Sequence, residues 1–462
     1  MVFDLHIGVL AFPFGTHAGP LLTLVQRLAA SSPRTQFSFL NTRVSNGSMF
    51  NARVSVPYEN IKVYDVWDGM PQGFWGNHFE AIRLFLSASP DNFEKVIEKA
   101  EEETGLKLCC LISDAFLSFA CDLAEKRGVP WVAFWGSASH SLSVHVHTEE
   151  ILKAVGSTEV TKQEHTLSYI PGLTKVRLSD LPPENFLDKN PSLLALTINN
   201  MVQKLPKSIA VVLNCFEEID PVITNDLKSK FKHLLNIGPL MLGLQPQHLI
   251  LSSPNPRALD DKTGCLSWLD NQNKPRSAIY ISFGSFVTPS KNEVMSLAEA
   301  LETCQIPFLW SMKDHVKKSL PEGFLNRTIA YGKIVAWAPQ LQVLGHSSIG
   351  AFISHCGWNS ILESICSCVP MICVPMTMAD HKLNARMVVD SWKIGVGVEG
   401  VLTKSKTIEA LNHVMFSEAG KPIRENIYRL KEKALDAVKL DGSSTKNYKK
   451  LLEIISAPKL GA

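Results

Sequence analysis

The chain has 462 residues, 45% hydrophobic and 19% charged, a globular composition too long for one ordinary core, so two domains are expected. Its 46 basic and 44 acidic residues leave a formal charge of +2 with no long basic block, which speaks against nucleic acid as a partner. No apolar run approaches the ~18 residues of a membrane span. The ten cysteines are scattered, with neither a disulfide framework nor a CxxC metal pattern, which favours a reducing, cytoplasmic setting.

The first dozen residues are apolar but carry Asp4 and lack a basic leader, so they are read as a buried strand and not a signal peptide. Strands are expected in the first half at His6–Ala11, Gln36–Leu40, Leu108–Ser113, Trp131–Trp135 and Ala210–Asn214, with helices between them such as Pro20–Ala30 and Ser118–Arg127. A segment rich in Pro, Gln and Ser over Gly243–Pro256 marks a linker. The scheme then restarts, with strands at Ala278–Phe283, Phe308–Ser311, Ile349–Ser354 and Met371–Val374. Amphipathic, Lys-rich helices follow at Pro422–Leu440 and Thr445–Ile455. Short apolar runs alternating with amphipathic stretches predict parallel sheets flanked by helices. The expected class is α/β, two doubly wound Rossmann-like domains facing across a cleft, where such folds bind ligands at strand carboxyl ends. The boundaries drawn are 1–242 for the first domain, 243–262 for the linker, 263–440 for the second domain and 441–462 for a final helix.

Two stretches hold the chemistry. The first is Phe12-Pro-Phe-Gly-Thr-His17-Ala-Gly19, which follows the first strand. Gly15 and Gly19 let the chain turn there, and His17 offers an imidazole able to take a proton near neutral pH. Asp114, at the end of the Leu108–Ser113 strand, reaches the same edge and can hold the imidazole's tautomer. Taken singly, His17 is also readable as a plain loop residue and Asp114 as a helix cap. Phe12, Phe14, Phe116, Phe119, Trp135 and Phe186 fall around the same loops, some as core and some as walls of a pocket for a flat aromatic molecule.

The second stretch runs from Trp337-Ala338-Pro-Gln340 through His355-Cys-Gly-Trp358-Asn359-Ser360 and Glu363 to Asp380-His381. A turn with Gly at its centre, between a strand and a helix, aims backbone N–H groups at an anion. His355, Asn359 and Ser360 add side-chain donors, and Asn359 or Ser360 can also serve as a helix cap. Glu363 lies three residues after Ser360 and can accept two ribose hydroxyls, or close a capping box. Trp337 can stack on a base, with Ala338 and Gln340 beside it, or be a core residue. Gly395-Val-Gly-Val-Glu-Gly400 satisfies a dinucleotide-binding pattern but does not open a helix after a first strand, so it is read as flexible strand or loop. His140, His145 and His147 do not make a metal set, since a helix would place the last two on different faces.

In order and spacing the second stretch resembles the signature box of plant UDP-sugar-dependent glycosyltransferases of the GT-B type. Further likeness lies in the His17 loop, Ser141-Leu-Ser143, Ile170-Pro-Gly-Leu173, Asn225-Asp-Leu-Lys-Ser-Lys230 and Asn236-Ile-Gly-Pro239, which look like the flavonoid 3-O-glycosyltransferase branch. The resemblance implies that Trp337, Ala338, Gln340, His355, Trp358, Asn359, Ser360 and Glu363 hold UDP, that Ser285 and Ser311 also contact the donor, and that Asp380 and His381 read the sugar. It implies a His17–Asp114 dyad, and an acceptor site including Phe12, Gly15, Phe116, His145 and Phe186. It further implies a final helix packed on the N-terminal domain and inverting transfer. With the phosphates met by a helix N-terminus, His355, Asn359 and Ser360, and no Asp-x-Asp motif in the chain, no metal or cofactor is expected, and a monomer is expected. Three departures bear on the sugar. His381 stands where glucose-using members have Gln, Pro375–Ala379 holds an extra residue, and Gly136 replaces a frequent Thr that contacts the 6-hydroxyl. His381 looks like galactose-using and some arabinose-using members, so galactose is the expected donor sugar, with glucose or arabinose as alternatives. Other readings are a silent UDP-sugar-binding protein and, more remotely, a nicotinamide oxidoreductase.

Overall fold

The computed structural model describes residues 2–50, 58–155, 165–185, 192–243, 261, 263–284, 288–377 and 379–457. It divides into two compact units. One comprises Met1–Ala154, Glu184–Pro256 and Asp436–Ala462, and the other Val155–Pro183 and Arg257–Leu435. The expected linker 243–262 lies almost wholly outside the described residues, as do Phe186 and Ser285.

The first unit is built on a seven-stranded parallel sheet in the order β3-β2-β1-β4-β5-β6-β7. Its strands are β1 (Leu5–Leu10), β2 (Thr35–Thr42), β3 (Ile61–Val66), β4 (Cys110–Asp114), β5 (Trp131–Trp135), β6 (Ala210–Leu213) and β7 (Leu234–Asn236). The chain winds outward from β1 through β2 to β3, then returns to the middle at β4 and winds the other way. The switch point therefore lies between β1 and β4, paired in register from Ile7 with Cys110 to Leu10 with Ser113. The central strands are buried along their length and mostly apolar because helices cover both faces of a parallel sheet, although β2 carries Gln36, Ser38 and Asn41 within it. Ile7, Val9, Phe37, Phe39 and Ile112 are fully buried in one core.

The final helix, Ser443–Ser456, belongs to this core through Tyr448, Leu451 and Ile455. Its polar face is fixed as well. Ser444 Oγ donates to the Gly238 carbonyl at 2.6 Å, and Asn447 Nδ2 donates to the Asn236 carbonyl at 2.9 Å. The Arg27 guanidinium lies 4.8 Å from the Tyr448 ring centroid.

The second unit is built on a six-stranded parallel sheet in the order β10-β9-β8-β11-β12-β13. Its strands are β8 (Ala278–Ser282), β9 (Phe308–Ser311), β10 (Gly332–Val335), β11 (Ile349–Ser354), β12 (Met371–Cys373) and β13 (Gly395–Gly397). Here the winding reverses between β8 and β11, so each unit has one switch point. β13 explains the glycine-rich pattern at its head, since a Cβ on Gly395 would meet the Met371 carbonyl oxygen at 2.5 Å. The pattern serves strand packing and not a phosphate loop.

Every strand expected from sequence is present to within a few residues of its expected ends, and four strands were not anticipated, β3, β7, β10 and β13. These are the four edges of the two sheets. An edge strand is paired on one side only and is covered less completely, so it lacks the continuous apolar run that betrays a central strand. β3 mixes buried positions with the exposed Lys62 and Asp65, while β7 and β13 span three residues each.

Candidate functional site

In the first unit, the loop after β1 and the end of β4 meet at the switch point. His17 sits immediately before the helix Ala18–Ser31, and Asp114 is the last residue of β4. His17 Nδ1 and Asp114 Oδ2 are 2.9 Å apart, with the His17 side chain 31% exposed and that of Asp114 1% exposed. The other carboxylate oxygen accepts the Phe116 N–H at 3.0 Å, so the acid is pinned by backbone on one side and aimed at the imidazole on the other. A carboxylate on Nδ1 fixes the proton there and makes Nε2 the proton acceptor. Asp114 is not a helix cap, because the helix Phe119–Arg127 begins after Ser118.

Aromatic rings enclose the imidazole. Phe12 and Phe116 approach it edge-on at 5.1 and 4.9 Å between centroids. Phe116 stacks on Trp135 at 6.0 Å and 15°, and Trp135 meets His145 at 5.5 Å. Phe12, Gly15, Phe116 and His145 are thus brought around one patch, where Gly15 takes a left-handed φ of 62°. Apolar walls round a half-exposed imidazole suit a flat aromatic ligand that presents a hydroxyl. Asn185, which sequence reasoning missed, donates to His145 Nδ1 at 3.0 Å. His140 and His147 face different acids, Asp220 at 3.5 Å and Asp226 at 3.4 Å.

In the second unit the comparable junction follows β8 and β11. Ser282, Ser311 and Ser354 end β8, β9 and β11 side by side in register. Beyond Ser354 the chain turns sharply. Cys356 has a φ of 68°, a conformation costly for a side-chain-bearing residue, held by the bond from Asn384 Nδ2 to its carbonyl at 2.9 Å and from its N–H to Ser354 Oγ at 3.2 Å. The helix Trp358–Ser367 then starts with Gly357 as its cap, and no side chain caps it. Asn359 and Ser360 lie inside the helix, so the capping alternative does not hold for either, nor does a capping box at Glu363. The first N–H groups of this helix are therefore directed at the site, as an anion requires.

His355 is wedged against the turn. A Cβ on Gly284 would lie 2.8 Å from its ring, and one on Gly357 would lie 2.6 Å from Nε2. Gly284 also has a φ of 76°, so only glycine meets both demands at this position. The His381 ring stands perpendicular to that of His355, 4.8 Å between centroids. Burial above all, then the neighbouring His381, brings the His355 pKa down to about 3, and burial lowers His381 also. Both imidazoles are neutral at physiological pH and act as hydrogen-bonding groups, not cations. The Nδ1 atoms of both are buried and unpartnered within the protein.

Gln340 organises the remaining polar groups. Its Nε2 donates to Ser360 Oγ at 3.0 Å and to Glu363 Oε2 at 2.5 Å, while its Oε1 accepts from the buried Tyr280 hydroxyl at 3.2 Å. Glu363 is half-buried, and burial of its carboxyl raises its pKa to about 7 against the pull of Gln340. Trp337 is half-buried in the loop after β10, next to buried Ala338. Asp380 caps the short helix His381–Arg386 and follows Ala379, which has a φ of 46°. Of the span Pro375–Ala379, expected to hold one extra residue, Met378 lies outside the described residues. Tyr280 was hidden in an apolar strand run. Asn384 and Gly284 had weak signals, a polar residue on a core-facing helix and a glycine at a strand end.

These are two doubly wound units, each with polar groups converging on its switch point. A family model described as UDP-glucoronosyl and UDP-glucosyl transferase matches residues 58–437. The chain is 51% identical over 453 residues to an anthocyanidin 3-O-glucosyltransferase of Gentiana triflora, with 97% of each chain covered. It is 47% identical to an anthocyanidin 3-O-galactosyltransferase of Actinidia chinensis var. chinensis, covering 99% of this chain and 98% of that one. A crystal structure of a UDP-glucose: anthocyanidin 3-O-glucosyltransferase in complex with UDP superposes with a TM-score of 0.90 at 38% identity, covering 99% of this chain and 100% of that chain. The chain belongs to the UDP-glycosyltransferase family, and its fold is of the GT-B class. No helix among the described residues is long and apolar enough to cross a membrane.

Proposed function

We propose that this enzyme transfers a sugar from a UDP-sugar to the 3-hydroxyl of a flavonol or anthocyanidin, with inversion at the anomeric carbon. The observation that supports this most directly is the His17–Asp114 pair, 2.9 Å apart and walled by aromatic rings. His17 Nε2 accepts the proton of the acceptor hydroxyl as its oxygen attacks the anomeric carbon. The bond from that carbon to the phosphate oxygen breaks, and UDP leaves with the electron pair. Asp114 stabilises the imidazolium formed. Displacement from the face opposite UDP turns an α-linked donor into a β-glycoside, and no enzyme nucleophile is required.

In this reading Trp337 stacks on the uracil beside Ala338, and Gln340 presents Glu363 to the ribose hydroxyls. His355, Trp358, Asn359 and Ser360 receive the diphosphate, with Ser311 and Ser285 alongside, and Asp380 and His381 take the sugar. Phe12, Gly15, Phe116, His145 and Phe186 receive the flavonoid. Two relatives named for this acceptor class and similar over nearly the whole chain support the choice. The test is UDP release with quercetin across a donor panel, with the product's linkage identified. No product with any donor would leave a silent UDP-sugar-binding protein. The same reading has a monomer working in the cytoplasm, where ten free thiols persist.

The donor we favour is UDP-galactose. Galactose differs from glucose in the axial 4-hydroxyl, and a buried imidazole reaches a hydroxyl differently from a Gln amide. An epimer that leaves a buried polar group unpaired loses ~1–3 kcal/mol, about ten- to hundredfold in preference. His381→Gln is expected to move donor preference toward UDP-glucose by that factor. A wild type that uses UDP-glucose equally well, with no change on substitution, would exclude galactose. Glucose remains the alternative, since relatives of both kinds are similar to this chain. Gly136, where a Cβ would meet only Phe134 at an ordinary 3.6 Å, keeps UDP-arabinose as a third.

Diphosphate binding by a helix N-terminus and neutral donors requires no divalent cation. Transfer is therefore expected to continue at full rate in excess EDTA. Loss of activity on chelation, restored by Mg²⁺ or Mn²⁺, would contradict this.

A further inference from the structure

Tyr280 lies in the middle of β8 and is 1% exposed, its ring stacked on that of Phe352 in β11 at 5.1 Å between centroids and 21°. Alternate residues of a strand share a face, so Ser282 stands on the same side, and Ser311 pairs with Ser282 from β9. Both serine hydroxyls donate toward the phenol oxygen. The oxygen is thus occupied as an acceptor, and its single proton goes to Gln340 Oε1, 3.2 Å away. A phenylalanine would fill the same space in this core, so packing alone does not account for the hydroxyl.

The consequence falls on Gln340. The two ends of its amide have nearly the same shape and opposite roles, one accepting and the other donating. With Oε1 held by Tyr280, Nε2 faces the other way, donating to Ser360 Oγ at 3.0 Å and to Glu363 Oε2 at 2.5 Å. Turned over, the amide would set its oxygen against a carboxylate oxygen. In the observed orientation Ser360 accepts from Gln340 and keeps its own proton to give, while Glu363 keeps Oε1 to accept. The same bond favours the ionised carboxylate against its burial. The Glu363 charge acts on the Tyr280 hydroxyl and on the Cys366 thiol. Burial pushes both up, the thiol to about 12, so both stay neutral at physiological pH.

We infer that Tyr280 is a positioning residue for the nucleotide. Its hydroxyl sets which end of the Gln340 amide faces Ser360 and Glu363, so that the first can donate to phosphate and the second accept from ribose. This rests on the donor assignment proposed above. Tyr280 touches no substrate and acts through Gln340.

The experiment is calorimetry of UDP binding on both sides of neutral pH for the wild type, Tyr280→Phe, Gln340→Met, the double variant and Glu363→Ala. Melting temperatures are measured alongside. Tyr280→Phe keeps the ring and its stack on Phe352, so the core is retained. It is expected to weaken UDP binding above neutral pH by about 5- to 30-fold, between the loss of a neutral hydrogen bond and of one to a charge. The pH at which affinity levels off moves upward, because a released amide no longer favours the ionised carboxylate. Gln340→Met, which removes the amide, shows both effects at least as strongly, and the double variant is no worse than Gln340→Met. A lower melting temperature with wild-type UDP affinity and pH profile would overturn the inference. So would a loss of equal size at every pH, a Gln340→Met variant with the wild-type profile, or additive losses in the double variant. Glu363→Ala tests the donor assignment separately. If it binds UDP as the wild type does, that assignment fails and the inference with it, whereas weakened binding there beside an unchanged Tyr280→Phe overturns the inference alone.

Discussion

Replacing His17 with alanine is expected to lower kcat by ~10²–10⁴-fold, the contribution of a positioned general base. UDP affinity should stay near the wild-type value, because the groups we assign to the nucleotide belong to the other unit. The partner substitution separates two roles for Asp114. Alanine removes the anchor but lets the ring choose its tautomer. Asparagine keeps a hydrogen-bonding group at 2.9 Å but offers an N–H to Nδ1, which drives the ring proton onto Nε2 and blocks the base. Asp114→Asn should therefore be at least as slow as Asp114→Ala. Near-normal turnover by His17→Ala at neutral pH would remove the dyad from the mechanism.

Glu363 governs the second large effect. Hydrogen bonds to a charged carboxylate contribute roughly 1.5–3 kcal/mol, so Glu363→Ala is expected to weaken UDP binding by about 10- to 200-fold. The raised pKa adds a pH signature. In the free enzyme the carboxyl is protonated below about 7, and ribose hydroxyls donate to the ionised form. UDP binding therefore expels a proton in that range, and affinity rises as pH climbs toward 7, then levels. Glu363→Gln should abolish the portion of the proton release that belongs to the protein, leaving that of UDP itself. Calorimetry in buffers of different ionisation heat reads this directly, and equal proton release by wild type and variant would refute it. The linked stability has a fixed sign. A carboxyl raised from 4.5 to about 7 in the folded state stabilises fully below 4.5, and that stabilisation is lost as pH rises through about 7.

Much of this was legible in the sequence, for local reasons. Central strands of parallel sheets are buried on both faces, so their apolar runs stand out one by one, while the four edge strands stay hidden because they are short or only partly covered. The turn His355-Cys-Gly-Trp-Asn-Ser360 announces itself because a strand, a tight turn and a helix start are all local events. The limits of such reading are just as physical. Asn359 and Ser360 are good cappers by composition, yet the cap is Gly357, since the φ of 68° at Cys356 sets where the helix begins. That angle depends on Asn384, distant in sequence and bonded to the Cys356 carbonyl.

Residue types and order along the chain determined the strand–helix alternation, the imidazole and carboxylate available for proton transfer, and the polar set suited to a nucleoside diphosphate. Tertiary structure alone decided how those groups act. It brought His17 Nδ1 to 2.9 Å from Asp114 across a separation of 97 residues. It also set Glu363 against Gln340 and pressed His355 between two glycines. Bond distance and desolvation belong to the fold, because both depend on groups that meet only when remote strands pair, and sequence spacing does not encode them.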